Sequence, residues 1–138
     1  ADQVGGPTSA AAIARALLTL VEPAIANVSP RPGGSIPFPW GTHHFQGQPW
    51  VSWYGFAEEI MTQALALGLL PWAPQLIPIS TAEFPTPARR PANSRLDCSS
   101  AERELSLVLP AWREDLHQCL LSWKLFSSSE PASSLPSP

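Results

Sequence analysis

Seventeen of the 138 residues are proline, and no other feature limits the fold of this chain as much. A proline fixes φ near −65° and lacks a backbone N–H, so it ends helices and cannot sit in a central strand. Several prolines fall where one segment should stop and the next begin. Others crowd into loop-like stretches, SPRPGGSIPFP (Ser29 to Pro39) and the C-terminal tail. What fits between them is a set of amphipathic helices and short strands.

Gly6-Pro7-Thr8-Ser9 reads as a turn into a helix with Thr8 or Ser9 as N-cap. Ala10, Ile13, Ala14, Leu17, Leu18 and Val21 keep helical spacing until Pro23, where the helix should end. GTHHF (Gly41 to Phe45) is a strand candidate. A second helix should start after Ser52, with Trp53, Phe56, Ala57, Ile60, Ala64 and Leu67 on one face and Gly68 as its stop. LIPIS (Leu76 to Ser80) reads as a second short strand. Ser99 and Glu102 have capping-box spacing for a short helix. Pro110 suits the first turn of a last helix, whose face is Trp112, Leu116, Cys119, Leu120 and Trp123. Beyond Phe126, SSSEPASSLPSP is poor in apolar residues, and residues 127–138 are expected to be a disordered Ser/Pro-rich tail. The fold class is mixed α/β, and two short strands are too few for an independent sheet of usual size.

A net charge of −3 argues against nucleic acid or an anionic membrane as partner. No apolar run reaches the roughly 18 residues of a membrane span. Cys98 and Cys119 do not make a disulfide framework and no signal peptide precedes them, so a cytoplasmic chain with reduced thiols is expected.

The chemistry-bearing residues are few. His43 and His44 would point to opposite faces of a strand, and His117 and the cysteines lack zinc spacing. There is no G-x-S-x-G. Glu58-Glu59 and Glu114-Asp115 sit on the polar sides of their helices, where solvation explains them. Trp53, Trp112 and Trp123 occupy apolar helix positions and are expected in the core, while Trp40, Trp50 and Trp72 stay open. One stretch resists a bland reading: PTPARRPANSRLD, Pro85 to Asp97, puts three arginines and three prolines into thirteen residues. Adjacent guanidinium groups on a stiff loop suit a phosphate or carboxylate, because the planar fork donates two parallel bonds. The other reading is a surface loop whose arginines pair with nearby carboxylates.

Four segments, in order, carry a resemblance: DQVGGPTS (Asp2 to Ser9), WGTHHFQGQPWVSWYGFAEEI (Trp40 to Ile60), PISTAEFPTPARRPANSRLDCS (Pro78 to Ser99) and LPAWREDL (Leu109 to Leu116). Together, over roughly residues 1–124, they resemble the C-terminal part of the dTDP-4-dehydrorhamnose reductase family. The resemblance implies an extended short-chain dehydrogenase/reductase of α/β class that makes dTDP-L-rhamnose with NADPH. It makes residues 1–126 the substrate-binding portion of such an enzyme, without the N-terminal dinucleotide-binding half. The family's catalytic tyrosine and lysine lie four residues apart in that half, as does its Gly-rich turn. Here the single tyrosine, Tyr54, is followed four residues later by Glu58, and there is no G-x-G-x-x-G. The chain is therefore expected to begin after the catalytic machinery, to hold no catalytic or NADPH-binding residue, and to transfer no hydride alone. Apolar faces such as Ile13/Leu17/Val21 should then lack cover.

Related nucleotide-sugar enzymes, such as UDP-galactose 4-epimerase, carry a similar Arg-Arg-Pro-x-Asp run. Carried over by motif, Arg90 would hold the pyrophosphate of a dTDP-sugar, and Asn93, in place of the acid, would sit near sugar or ribose. Two departures stand out. Ser100 replaces a usual lysine, and LLSWKLF (Leu120 to Phe126) lacks the late acid through which some members form a magnesium-linked dimer, which argues against magnesium here. The alternative the resemblance allows is a non-catalytic partner protein of the same fold, like the regulatory β subunit of methionine adenosyltransferase, which has a similar RP-x-N-x-x-LD run.

Overall fold

The structure, a computed structural model, describes residues 1–28, 38–88 and 90–129. In chain order the elements are β1 (Val4–Gly5), α1 (Ala10–Val28), β2 (Val51–Ser52), α2 (Trp53–Ala66), a 3-10 turn (Thr81–Glu83), α3 (Ser99–Leu105) and α4 (Trp112–Ser129).

The helix signals are local and hold. Ser9 Oγ accepts the Ala12 N–H at 3.0 Å, so Ser9 caps α1. Ser52 Oγ accepts the Gly55 N–H at 3.0 Å and caps α2. At the other end of α2, Gly68 takes φ 69°. Its N–H reaches Leu65 O and that of Leu69 reaches Ala64 O, a Schellman closure that needs a residue tolerant of the left-handed region.

Other expectations fail for identifiable reasons. α1 does not stop at Pro23, which lies inside it; the ring nitrogen forfeits one backbone bond, but the residues after it still donate theirs. Ser99 does not cap α3: Cys98 holds the N-cap position without a side-chain bond, and Asp97 Oδ1 takes the Ser99 N–H at 3.0 Å. A Ser/Glu box forms at the 3-10 turn instead, where Glu83 Oε2 accepts the Ser80 N–H at 2.6 Å and its hydroxyl at 2.7 Å. α4 starts two residues after Pro110, which lies outside it, and runs to Ser129, three residues past Phe126. The rest of the Ser/Pro tail, residues 130–138, lies outside the described residues, as do Arg89 and most of the SPRPGGSIPFP loop.

Neither GTHHF nor LIPIS is a strand. The strands are the two-residue pieces Val4–Gly5 and Val51–Ser52, antiparallel, with Val4 opposite Ser52 and Gly5 opposite Val51. On the other edge of Val4 the 92–94 segment adds a parallel bridge at Asn93, through Val4 N to Ala92 O and Ser94 N to Val4 O, both 2.8 Å. A ladder exists only where two segments meet, which alternation along one segment cannot specify.

The run Gln46 to Pro49 ties these pieces together. Gln46 is buried, and its carboxamide stands in for a strand partner: Nε2 donates to Ser94 O at 2.8 Å and Oε1 accepts the Leu96 N–H at 3.0 Å. The Gly47 N–H reaches Thr8 Oγ1 at 3.0 Å. Gln48 bridges Ala111 in parallel, donating to Pro110 O at 2.9 Å. Pro49, after a cis peptide bond, offers its carbonyl to Trp112 Nε1 at 2.6 Å.

Of the three tryptophans expected in the core, only Trp112 is there, 2% exposed and edge-on to Phe56 at 5.5 Å. Trp53 and Trp123 are 62% and 64% exposed. Leu120 joins Trp112 inside, whereas Cys119 is exposed. α1 turns Ala12 inward and leaves Ile13, Leu17, Leu18 and Val21 outward, so the bulkier face is the one without cover. Asp115 is not merely solvated; it accepts from Ser9 Oγ at 2.8 Å and Arg15 at 2.9 Å, fixing the start of α1 to that of α4. Glu59 likewise meets Arg113 at 3.3 Å between α2 and α4.

Two outcomes test this arrangement. A Cβ on Gly47 would lie inside van der Waals contact of Pro7 O, and backbone cannot yield as a side-chain tip does. Gly47→Ala should cost about 1–3 kcal/mol or more in urea unfolding, while Gly5→Ala, whose methyl comes no closer than 3.5 Å to Ser94, should change little. The uncovered α1 face predicts that the chain binds a hydrophobic-surface dye or self-associates; a monodisperse monomer with a sharp, high melting transition and no dye signal would contradict it.

Candidate functional site

A cleft of about 410 Å³ opens between the N-terminal residues, the start of α2 and the loop from Ile79 to Arg90. The extension of β1 into Gln3 and the step from β2 into α2 set one wall: Trp53 N donates to Gln3 O at 3.2 Å, which places the indole as the first side chain of the helix. The opposite wall is the 3-10 turn and the proline-bounded loop, carrying Thr81, Phe84, Thr86 and Arg90.

Asp2 joins the walls. Its carboxylate accepts the Thr81 N–H at 3.0 and 3.1 Å and the Thr81 hydroxyl at 2.8 Å, and Gln3 Nε2 donates to Thr81 Oγ1 at 3.0 Å. The Ala1 amine donates to Ile79 O alongside. The Thr81 amide, and then its hydroxyl, hold the Asp2 carboxyl below the usual carboxylate range. The Ser80 amide and hydroxyl do the same for Glu83. Both acids are therefore committed to shaping the loop.

Of the two residues singled out in the arginine loop, Arg90 lines this cleft, and among the described residues no carboxylate pairs with it. Asn93 does not line it. Its Oδ1 accepts from Arg95 N at 3.1 Å and Arg95 Nε at 2.8 Å, and its backbone is the parallel bridge to Val4. Arg95 in turn lies over the Trp50 ring, 5.2 Å from its centroid. The loop thus separates its arginines: Arg95 is used in packing, and Arg90 faces open space with a cation to offer. Composition could not find Asp2, Trp53, Thr81 and Phe84 as neighbours of Arg90, though each lies in one of the segments that carry the family resemblance.

Other candidate chemistry is absent among the described residues. No group of three or more His, Cys, Asp or Glu side chains converges as metal ligands. His43 is held between Pro39 O at 2.8 Å and Ser100 Oγ at 3.3 Å. No helix is long and apolar enough to cross a membrane.

The family model of the RmlD substrate binding domain matches residues 1–124. A dTDP-4-dehydrorhamnose reductase of Aggregatibacter actinomycetemcomitans is 37% identical over 116 residues, which are 84% of this chain and 37% of that protein. One of Sinorhizobium fredii is 35% identical over 132 residues, 96% of this chain and 41% of that protein. Among solved structures, a dTDP-4-dehydrorhamnose reductase of Clostridium acetobutylicum superposes with a TM-score of 0.70 at 29% identity, over 89% of this chain and 37% of that one. That of Bacillus anthracis, in complex with NADP, gives 0.68 at 26% identity, over 88% and 36%. The chain thus spans about two fifths or less of the length of these relatives, within an α/β fold. The residues here do not fit a dinucleotide. The only ladders among those described are the two-residue pair and isolated bridges, with no strand–Gly-rich turn–helix unit to seat a pyrophosphate.

The Asp2–Thr81 tether should be pH-dependent. A carboxyl held below its ordinary value stabilises the fold fully above the unfolded pKa, about 4, and loses that contribution as pH falls through the lower folded value. The Thr81 amide proton shift should therefore titrate with a midpoint below the ordinary aspartate value, and in Asp2→Asn that titration should vanish. A midpoint at or above the ordinary value would mean that the tether does not form in solution.

Proposed function

The chain belongs to the RmlD substrate-binding domain family, and from that premise we propose that it is the sugar-nucleotide-binding part of an NADPH-dependent dTDP-4-dehydrorhamnose reductase. The complete enzyme's reaction, on this reading, reduces dTDP-6-deoxy-L-lyxo-4-hexulose to dTDP-L-rhamnose. The observation that carries the reading is the Arg90 guanidinium on the wall of a cleft of about 410 Å³, with no carboxylate among the described residues paired to it. A doubly anionic ligand needs a fixed fork with little entropy left to lose, and Pro91 biases Arg90 toward an extended backbone that fixes where its side chain starts. The sugar- or ribose-side role carried over to Asn93 by motif falls outside this cleft's wall; in this reading only its Nδ2 donors are left for a ligand hydroxyl, its Oδ1 being held by Arg95.

Hydride transfer belongs to groups that these 138 residues do not contain. There is no Tyr-x-x-x-Lys pair and no Gly-rich fingerprint, so NADPH and the acid–base machinery come from elsewhere in the enzyme. Cys98 and Cys119 are both free thiols, which suits a reducing, cytoplasmic setting.

Arg90→Ala should weaken dTDP-sugar binding roughly ten- to more than a hundredfold, the value of a charge-assisted bidentate contact of about 1.5–3 kcal/mol. Arg90→Lys should recover only part, since it keeps charge but loses the fork. Calorimetric titration of the chain with dTDP-L-rhamnose, repeated in the reductase carrying its dinucleotide half, measures both. If Arg89→Ala costs as much as Arg90→Ala, or neither matters, the loop is only a charged surface. The chain given NADPH and the 4-keto sugar nucleotide should show no turnover above a heat-killed control; turnover would refute the division of labour.

A further inference from the structure

Two charged side chains line the cleft, and they carry opposite signs: Arg90 and Asp2. An acid on the wall of a site for an anion is a liability, since like charge repels a phosphate and weakens its binding. Among the described residues Asp2 is the one carboxylate on that wall. Its bonds show a use that can outweigh the repulsion. Oδ1 accepts the Thr81 N–H at 3.0 Å and the Thr81 hydroxyl at 2.8 Å, and Oδ2 lies 3.1 Å from the same amide nitrogen. The hydroxyl in turn accepts from Gln3 Nε2 at 3.0 Å, so its one proton is left for Asp2.

This clasp joins residues 79 apart in sequence, and it has a counterpart at the far end of the arginine segment. There Ala92 O accepts the Val4 N–H at 2.8 Å, and Ser94 N donates to Val4 O at 2.8 Å. Asp2 thus holds Thr81 and Val4 holds Ala92, so the backbone that carries Arg90 is pinned at both ends to one short N-terminal run. Between the pins, Pro85, Pro87 and Pro91 fix φ, and Thr86 Oγ1 donates to Ala88 O at 2.8 Å. No carboxylate among the described residues pairs with Arg90. Its placement therefore rests on this doubly anchored backbone.

We propose that Asp2 is the positioning residue of this anion site: by clasping Thr81 it holds the Arg90 segment against the N-terminal run, and it acts on an anionic ligand only through Arg90. This role rests on the reading of Arg90 given above and adds what places that side chain. A guanidinium already in position surrenders little freedom when it grips a phosphate. One on a segment anchored at a single end must be ordered by the ligand itself, which lowers affinity roughly two- to twelvefold for one such side chain. Charge and position make opposite predictions for removal of the carboxylate. Repulsion alone has an anion bind more tightly without it; positioning has the anion bind more weakly.

The test is calorimetric titration of the full 138-residue chain with dTDP-L-rhamnose. It is repeated for Asp2→Ala, Thr81→Val, Thr81→Ser, Arg90→Ala and the double variant Asp2→Ala with Arg90→Ala. Asp2→Ala should weaken binding roughly two- to twelvefold, although it removes a negative charge from the cleft. Thr81→Val loses the hydroxyl with no change of charge and should show part of that loss. Thr81→Ser keeps both hydroxyl and amide and should bind as the parent does. With Arg90 already replaced, Asp2→Ala should cost nothing further, because the group it positions is gone. A general loss of fold would weaken both backgrounds alike, so the double variant separates placement from stability. Tighter or unchanged binding in Asp2→Ala, or an equal loss in the Arg90→Ala background, overturns the positioning role while the phosphate role of Arg90 stands. If Arg90→Ala leaves affinity unchanged, the reading of the cleft fails and the positioning role falls with it.

Discussion

Four residues, Gln46 to Pro49, do for this protein what a sheet does in a larger one. Burial offers little alternative: the buried apolar residues among those described are mostly small, and Trp112 is the one large side chain fully enclosed. With a core of that size, backbone polar groups must find partners without a broad ladder. The Gln46 carboxamide serves residues 94 and 96, Gly47 binds the turn before α1, and Gln48 and Pro49 hold the start of α4 and the Trp112 indole. Removing the Gln46 side chain would take away both of these bonds at once, from the Ser94 carbonyl and from the Leu96 N–H.

Such a hub requires close backbone approach. Gly6 and Gly47 lie against each other so tightly that a Cβ on either would overlap backbone atoms of the opposite run. Here glycine is used for absence of volume rather than for conformation. Gly68, by contrast, is used for its φ of 69°, with open space around the position of a Cβ.

The candidate site follows from the hub by short steps. With residues 94–96 held by Gln46, Asn93 bridges Val4, and Arg90 lies two residues ahead of Ala92, whose carbonyl receives the Val4 N–H. Val4 and Gly5 pair with Val51 and Ser52, so Trp53 follows at once on the neighbouring wall. Asp2 then pins Thr81 across the gap. The rim is thus hydrogen-bonded backbone, a rigid support for side chains that themselves remain exposed. The apolar faces of α1 and of the end of α4 belong to a different category: Leu17, Leu18, Trp123 and Leu125 are each more than half exposed and lie on helices that the hub fixes only at their first turns.

What the sequence determined by itself is what depends on near neighbours along the chain. Ser9 and Ser52 as caps, Gly68 as the stop of α2, and Trp112 and Leu120 on the inner side of α4 were legible because each is decided within one or two helical turns. The ordered segments that resemble a reductase family were legible too, since order and spacing survive without coordinates. Tertiary structure decided the rest. Which residues became strands depended on Val4 meeting Ser52, and GTHHF and LIPIS, with suitable composition but no partner, stayed irregular. Which face of α1 turned inward depended on what lay beside it, so Ala12 went in and the bulkier Ile13 and Leu17 did not. The site was settled the same way. Arg90 is visible in the sequence as a cation on a stiff loop, but its sharing of one cleft with Asp2, Trp53 and Thr81 comes from contacts between residues tens of positions apart, and local propensity carries no information about those.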